Sequence, residues 1–246
     1  MAHPSLAFTD HRPWPLPDQR WRWRQSWNDL AFVHYKVDAK RLRELVPAKY
    51  EIDRFAGDAW VSVVPFMMED VAPQGMPCVF PFRSFPELNL RTYVTHGGKP
   101  GVFFFSLDAA NLPLVVGGNA IYGVPYKYAR MAYIQRDGVR EFVSRRYGSA
   151  VNFRAMIKPL GPEFEAAAGT LEEWLSERYC LYSVGVAGAY YRVEVHHKKW
   201  PLRECAVELI ENDLLKPFGL EVDESSALCH FSPGVDVVSF RPERLD

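Results

Sequence analysis

From Trp21 almost to the C-terminus, polar and apolar residues alternate in short runs separated by turn residues. This period of two limits the fold more than any other feature, because successive side chains on a strand point to opposite faces. ELNLRTYV and GVFFFSLDA flank Gly97, Gly98 and Pro100 as one expected hairpin. KYARMAYI and REFVSRRY flank Asp137-Gly138 as another, and that dipeptide accepts the positive φ angles of a tight turn. A further hairpin is expected from YEIDRF and AWVSVVPFMM around Ala56, Gly57 and Asp58. Pro4, Pro13, Pro15 and Pro17 make residues 1–20 an extended arm laid over the body.

Helices are few. Asp38 caps AKRLRELV, which stops before Pro47. A second helix is expected from near Asn111 to Gly117-Gly118, and another opens at Thr170, where Thr170 and Glu173 form a capping box. A last one is expected over about Cys205 to Leu215. With no internal repeat and no shift in composition, residues 1–246 read as a single domain. Its expected class is α+β, mainly antiparallel β, on a large sheet that is closed or strongly curved.

Composition removes several function classes. The chain carries 29 Lys+Arg against 30 Asp+Glu, so the basic excess of a nucleic-acid binder is missing. The Arg–Trp interleaving of WRWRQSW is then a strand with Trp on one face and Arg on the other. Seven Trp, 12 Tyr and 16 Phe suit a large packed core and argue against disorder. The apolar stretches are broken by Asp108, Pro113 or paired glycines before membrane-spanning length, so no membrane partner is expected. MAHPSLAFTDHRPWPLPDQR has no apolar h-region, and no secretory signal is expected. Cys78, Cys180, Cys205 and Cys229 show no C-x-x-C spacing and read as reduced thiols of a cytoplasmic protein. His196 and His197 are adjacent on a strand and face opposite ways; with no HExxH or H-x-H spacing, neither a metal nor another cofactor is expected.

Two segments hold candidate chemistry. On the strand Glu87–Val94, alternation places Glu87, Asn89, Arg91 and Tyr93 on one face. Glu87 and Arg91 sit roughly 13 Å apart at ~3.3 Å per residue, so both can reach a ligand between them. A solvent face on a half-exposed strand explains the same alternation. The second segment, Gly117 to Ala129, packs three glycines and a proline ahead of Tyr126-Lys127 and includes Tyr122. Lys127 is a solvated charge unless its strand points into a cavity, where desolvation makes a lysine nucleophilic.

That segment resembles the lysine-bearing stretch of the acetoacetate decarboxylases, G-G-R-E-x-W-G-F-P-K-K-x-A, and Pro86-Glu87 falls where that family carries its active-site glutamate. Over about Trp23 to Val238 the chain resembles the YqjF-like family of unknown function in the same superfamily. The runs that carry this are SWNDLAFVHYKVD, Asp53 with FAGDAWVSVVPF, FPELNLRTYV, GVFFFSLDA, VPYKYARM, SERYCLY, HKKWPL and HFSPGVDV. The resemblance implies a curved β-barrel around a small aromatic-lined chamber, with a small carboxylic or keto acid as partner. A second copy of the chain is a further candidate partner. In the decarboxylases a lysine forms a Schiff base with the substrate. Here the first lysine of K-K aligns with Tyr126, only Lys127 is matched, and Asn119-Ala120 replaces R-E. Alternation turns Lys127 away from the face of Tyr126. The resemblance then implies Glu87 and Arg91 on the chamber floor, Arg91 binding a carboxylate, with Asn89, Tyr122 and Tyr126 as further ligand contacts. The alternatives are a lyase-type enzyme acting on an oxo acid through Lys127, and a structural or oligomer-forming protein whose aromatic side chains fill the chamber.

Overall fold

The computed structural model describes residues 3–185 and 188–245. Among them, thirteen strands join one sheet. They are β1 (Trp23–Val37), β2 (Glu51–Ile52), β3 (Ala59–Pro73), β4 (Ser84–His96), β5 (Lys99–Ala109), β6 (Tyr126–Arg136) and β7 (Val139–Arg146), followed by β8 (Asn152–Phe164), β9 (Cys180–Val184), β10 (Tyr190–His196), β11 (Leu202–Asn212), β12 (Leu228–Ser239) and β13 (Glu243–Leu245). The order is β13-β10-β9-β5-β6-β7-β8-β11-β12-β1-β3-β4-β2, and further pairings of β4 with β5 and of β10 with β12 close it into circuits. Among the described residues this leaves only the short strands β2 and β13 as edges of the sheet.

The sheet is mixed rather than purely antiparallel. β5 runs parallel to β6 and to β9. Helix α2 (Leu112–Tyr122) makes the first of these possible, because it carries the chain back between β5 and β6. The hairpins at Gly97-Gly98 and Asp137-Gly138 form as β4–β5 and β6–β7. The hairpin expected from YEIDRF and AWVSVVPFMM does not. Its turn exists, closed by a Phe55–Asp58 bridge, but both sides of β3 are taken by β1 and β4, and β2 pairs outside β4.

Helix α1 (Ala39–Leu45) and helix α3 (Leu171–Ser176) begin at Asp38 and Thr170, whose side chains accept from the backbone N–H groups of Lys40 and Glu173. Helix α2 begins at Asn111 but runs through Gly117-Gly118 as far as Tyr122, and ends at Gly123, whose φ is +61°. The helix expected over Cys205–Leu215 is instead strand β11. Glu204, Ala206, Glu208 and Ile210 are exposed while Cys205, Val207 and Leu209 are half-buried against β8, so a period of two overrides residues of good helix propensity. The N-terminal arm is not extended throughout: Pro4–Ala7 form a turn of 3-10 helix. Arg12 anchors the arm through an ion pair to Glu194 at 3.1 Å and a hydrogen bond to the Val195 carbonyl at 2.8 Å.

Strands β1, β3 and β4 are buried on both faces, and alternation sorts their residues into two cores. Ala31, Val33, Tyr35, Val61, Val63, Leu88 and Leu90 enter the larger core. Leu30, Phe32, Val64, Phe66 and Met68 enter the second. Glu87, Asn89 and Arg91 have the parity of that second face, which is where the cavity lies.

Candidate functional site

A cavity of about 240 Å³ opens within the second core. Glu87, Asn89, Arg91, Tyr122 and Tyr126 all line it, and apolar side chains from β1, β3, β5 and α2 make most of its wall. Glu87, Asn89 and Arg91 are only 2%, 5% and 9% exposed, so the strand has no solvent face at these positions.

Burial decides the charge of Glu87. Its carboxyl is pushed up to about 8, first by desolvation and then by Asp108, against the opposing pull of the Tyr126 hydroxyl. That hydroxyl donates to Glu87 Oε2 at 3.0 Å. Burial and the neighbouring carboxyl together hold the Tyr126 phenol well above its ordinary value. At neutral pH the pair is therefore mostly a phenol and a carboxylic acid, and Glu87 has a proton to offer.

Tyr126 is fixed from α2. The Asn119 side chain accepts from Tyr126 N at 3.0 Å and donates to Tyr126 O at 3.1 Å. Gly118 lies against the ring: a Cβ there would come within 2.6 Å of Tyr126 Cδ2. This contact explains why the helix carries glycine at 118, which costs about 1 kcal/mol relative to alanine; a Cβ at Gly117 would meet nothing within 4 Å. Tyr122, the last residue of α2, joins the cavity wall and is tied down by the Ser183 hydroxyl, which donates to its carbonyl at 2.6 Å.

Arg91 is the exceptional group. Its one hydrogen bond runs from Nη2 to the Leu175 carbonyl at 3.5 Å, its Nε has no partner, and no carboxylate among the described residues pairs with it. The guanidinium lies over the rings of Phe32 and Tyr93, at 5.3 and 5.9 Å from their centroids. Arg178, also in the wall, is by contrast neutralised by Asp53 at 2.6 Å. Asn89 Oδ1 is buried without a partner. Burial lowers the His197 imidazole to about 3, so this wall residue is neutral at pH 7.

Lys127 is not brought to this site. Leu107 pairs with Tyr126 in the parallel β5–β6 register and both line the cavity, whereas Asp108 pairs with Lys127 on the opposite side. Lys127 is exposed, and Asp108 makes its ion pair with Arg146 at 2.8 Å. Tyr93 shares the parity of Arg91 but lies outside the cavity wall, hydrogen-bonded to Ser62 Oγ at 2.6 Å. Among the described residues no group of three or more His, Cys, Asp or Glu could hold a metal ion.

Sequence reasoning missed Trp27, Trp200, His197, Ser176 and Arg178 as wall residues. Trp27 stood in the Arg–Trp alternation, while HKKWPL and SERYCLY contained the other four. No local pattern said which way those side chains would face.

A family profile described as an uncharacterized conserved protein, DUF2071, matches residues 24–236. The chain belongs to the DUF2071 family. A relative, the uncharacterized protein YqjF of Bacillus subtilis strain 168, is 39% identical over 224 residues, covering 91% of this chain and 92% of YqjF. Among solved structures, acetoacetate decarboxylase from Legionella pneumophila aligns with a TM-score of 0.65 at 14% identity, over 96% of this chain and 93% of that one. The enduracididine biosynthesis enzyme MppR, complexed with pyruvate, gives 0.66 at 14% identity over the same shares. An acetoacetate decarboxylase-like enzyme from Sphingomonas wittichii RW1 gives 0.62 at 17% identity, over 93% and 94%. This DUF2071 member therefore has the acetoacetate decarboxylase-like fold. No helix among its described residues is long and apolar enough to cross a membrane.

Proposed function

We propose that the cavity binds a small carboxylic or keto acid, with the carboxylate on Arg91. The carrying observation is a buried guanidinium that no carboxylate among the described residues neutralises. A buried charge left unpaired costs several kcal/mol, and a carboxylate satisfies it with charge-assisted, often bidentate hydrogen bonds. Tyr126 stands at the place of the Schiff-base lysine and holds the neutral Glu87 carboxyl, which donates to a ligand oxygen. MppR, in the complex with pyruvate, supports a keto acid as the chemistry such a fold accommodates. The four cysteines are free thiols and suit a reducing compartment such as the cytosol.

A catalytic reading has one observation behind it. The Glu87 carboxyl at about 8 titrates near neutral pH, as suits a general acid or base. An acid–base reaction on the bound oxo acid, such as enolisation, then needs no lysine. Thermal shift of the full chain across small carboxylic and keto acids, each beside its neutral amide, tests the binding. Stabilisation by acids and not by amides is expected; no shift with any acid refutes it. Loss of the α-proton NMR signals of a bound keto acid in D₂O, above the rate without protein, tests the catalytic step.

A further inference from the structure

Resting on the carboxylate reading above, the geometry points to a ligand with one carboxylate and an apolar body, and we infer that the site prefers aliphatic or aryl monocarboxylates to three-carbon keto acids or dicarboxylates. Three features of the cavity lead there.

The first is its asymmetry. Arg91 and Glu87 occupy the two ends of one stretch of β4, roughly 13 Å apart at Cα. The Arg91 end carries an unpaired cation, and the Glu87 end a carboxyl held mostly neutral and occupied by Tyr126. A second carboxylate on the ligand would meet no cation at the Glu87 end and would face a group that itself becomes an anion. One anionic head is accommodated, and two are not.

The second is the wall between the ends. Across β3, Phe66 stands opposite Glu87 and Val64 opposite Asn89. Trp27 packs edge-on to Phe66 at 6.3 Å and stacks on Trp200 at 6.0 Å, with an interplanar angle of 16°. Trp200 in turn meets Phe32 edge-on at 5.3 Å, and Phe32 is the ring under Arg91. Trp27, Trp200 and Phe66 thus give the cavity an aromatic wall, and Phe32, which does not itself line it, packs between Trp200 and the guanidinium. Leu30 from β1 and Leu114 from α2 line the same space.

The third is size. At about 240 Å³ the cavity is several-fold larger than the roughly 30 Å³ share of one water, so it has room well beyond a lone carboxylate. That leaves space for a branched chain or a ring beside the carboxylate. Pyruvate would leave much of the aromatic wall uncovered, and each additional buried methylene is worth roughly fourfold in affinity.

The experiment is calorimetric titration of the wild-type full chain with phenylacetate, 4-methylpentanoate, pyruvate, glutarate and phenylacetamide. Phenylacetate and 4-methylpentanoate are expected to bind at least tenfold more tightly than pyruvate, with glutarate weaker than either. Phenylacetamide is expected to lose at least tenfold against phenylacetate. Pyruvate or glutarate binding as tightly as phenylacetate overturns the apolar-body inference and leaves the carboxylate reading standing. The amide binding as tightly as the acid, or no compound binding, overturns both. Leu114→Trp, which fills part of the cavity, gives a second arm. It should cost phenylacetate tenfold or more and change pyruvate by less than twofold; an equal loss for both acids overturns the inference.

Discussion

Raising the pH from 6 to 8 should destabilise the wild-type chain far more than Glu87→Gln, and the size of the difference follows from one buried carboxyl. Folding moves Glu87 from 4.5 to about 8, chiefly by taking it out of water. Between those values the folded chain keeps a proton that the unfolded chain has released. Stability contributed by this group is thus full below about pH 4.5 and is lost as pH rises, levelling off above about pH 8. At ~1.36 kcal/mol per pH unit the whole window amounts to roughly 5 kcal/mol, of which about 2 kcal/mol falls between pH 6 and 8. Glutamine at this position keeps an oxygen to accept from the Tyr126 hydroxyl but has nothing to titrate. Urea unfolding followed by tryptophan fluorescence, at half-unit pH steps on both proteins, reads the effect. Taking the difference between the two cancels other buried groups, including Glu177, raised by burial, and His196 and His197, lowered by it. A difference between the proteins that stays constant from pH 6 to 8 would refute the reasoning. A wild-type chain that gains stability over Glu87→Gln as pH rises would mean that Glu87 is stabilised as an anion.

Three further outcomes are expected. Arg91→Met removes an unpaired buried charge, so the ligand-free protein should melt at a higher temperature than wild type while losing all stabilisation by carboxylic acids; a lower melting temperature together with retained binding would count against the role given to Arg91. Gly118→Ala drives a methyl group into the Tyr126 ring and should cost about 1–3 kcal/mol in urea unfolding, with the pH dependence assigned to Glu87 altered as Tyr126 moves; an unchanged Cm would show that α2 gives way freely. Lys127→Ala changes an exposed side chain outside the cavity and should shift stability by less than about 0.5 kcal/mol and leave acid binding unaltered; a borohydride-trapped adduct on Lys127 would contradict its placement.

Alternation of polar and apolar residues made β4 legible, and with it the common face of Glu87, Asn89 and Arg91. It did not say whether that face met water. The answer depends on β3 and β5 flanking β4 and on a second core lying over it, contacts that join residues far apart in sequence. Local propensity misled at β11, where ECAVELIEN has the composition of a helix and yet pairs with β8, since the ladder buries alternate side chains that a helix would have scattered. It also misplaced the partner of YEIDRF, because a turn signal reports a reversal of the chain and not which strand edge is free. Asn111, Asp38 and Thr170, by contrast, announced their helix starts correctly, since a cap acts within three residues.

By itself the sequence determined a strand-rich chain with sparse capped helices and a strand that alternates Glu87, Asn89 and Arg91 with apolar residues. Those properties reside in short-range periodicity and in single residue identities. Tertiary structure alone decided that Glu87 is held as a neutral acid, that Arg91 has no carboxylate partner among the described residues, and that Trp27 and Trp200 complete the wall. Each of these depends on how much water and which charges surround a group, and that environment exists only once strands distant along the chain have closed around it.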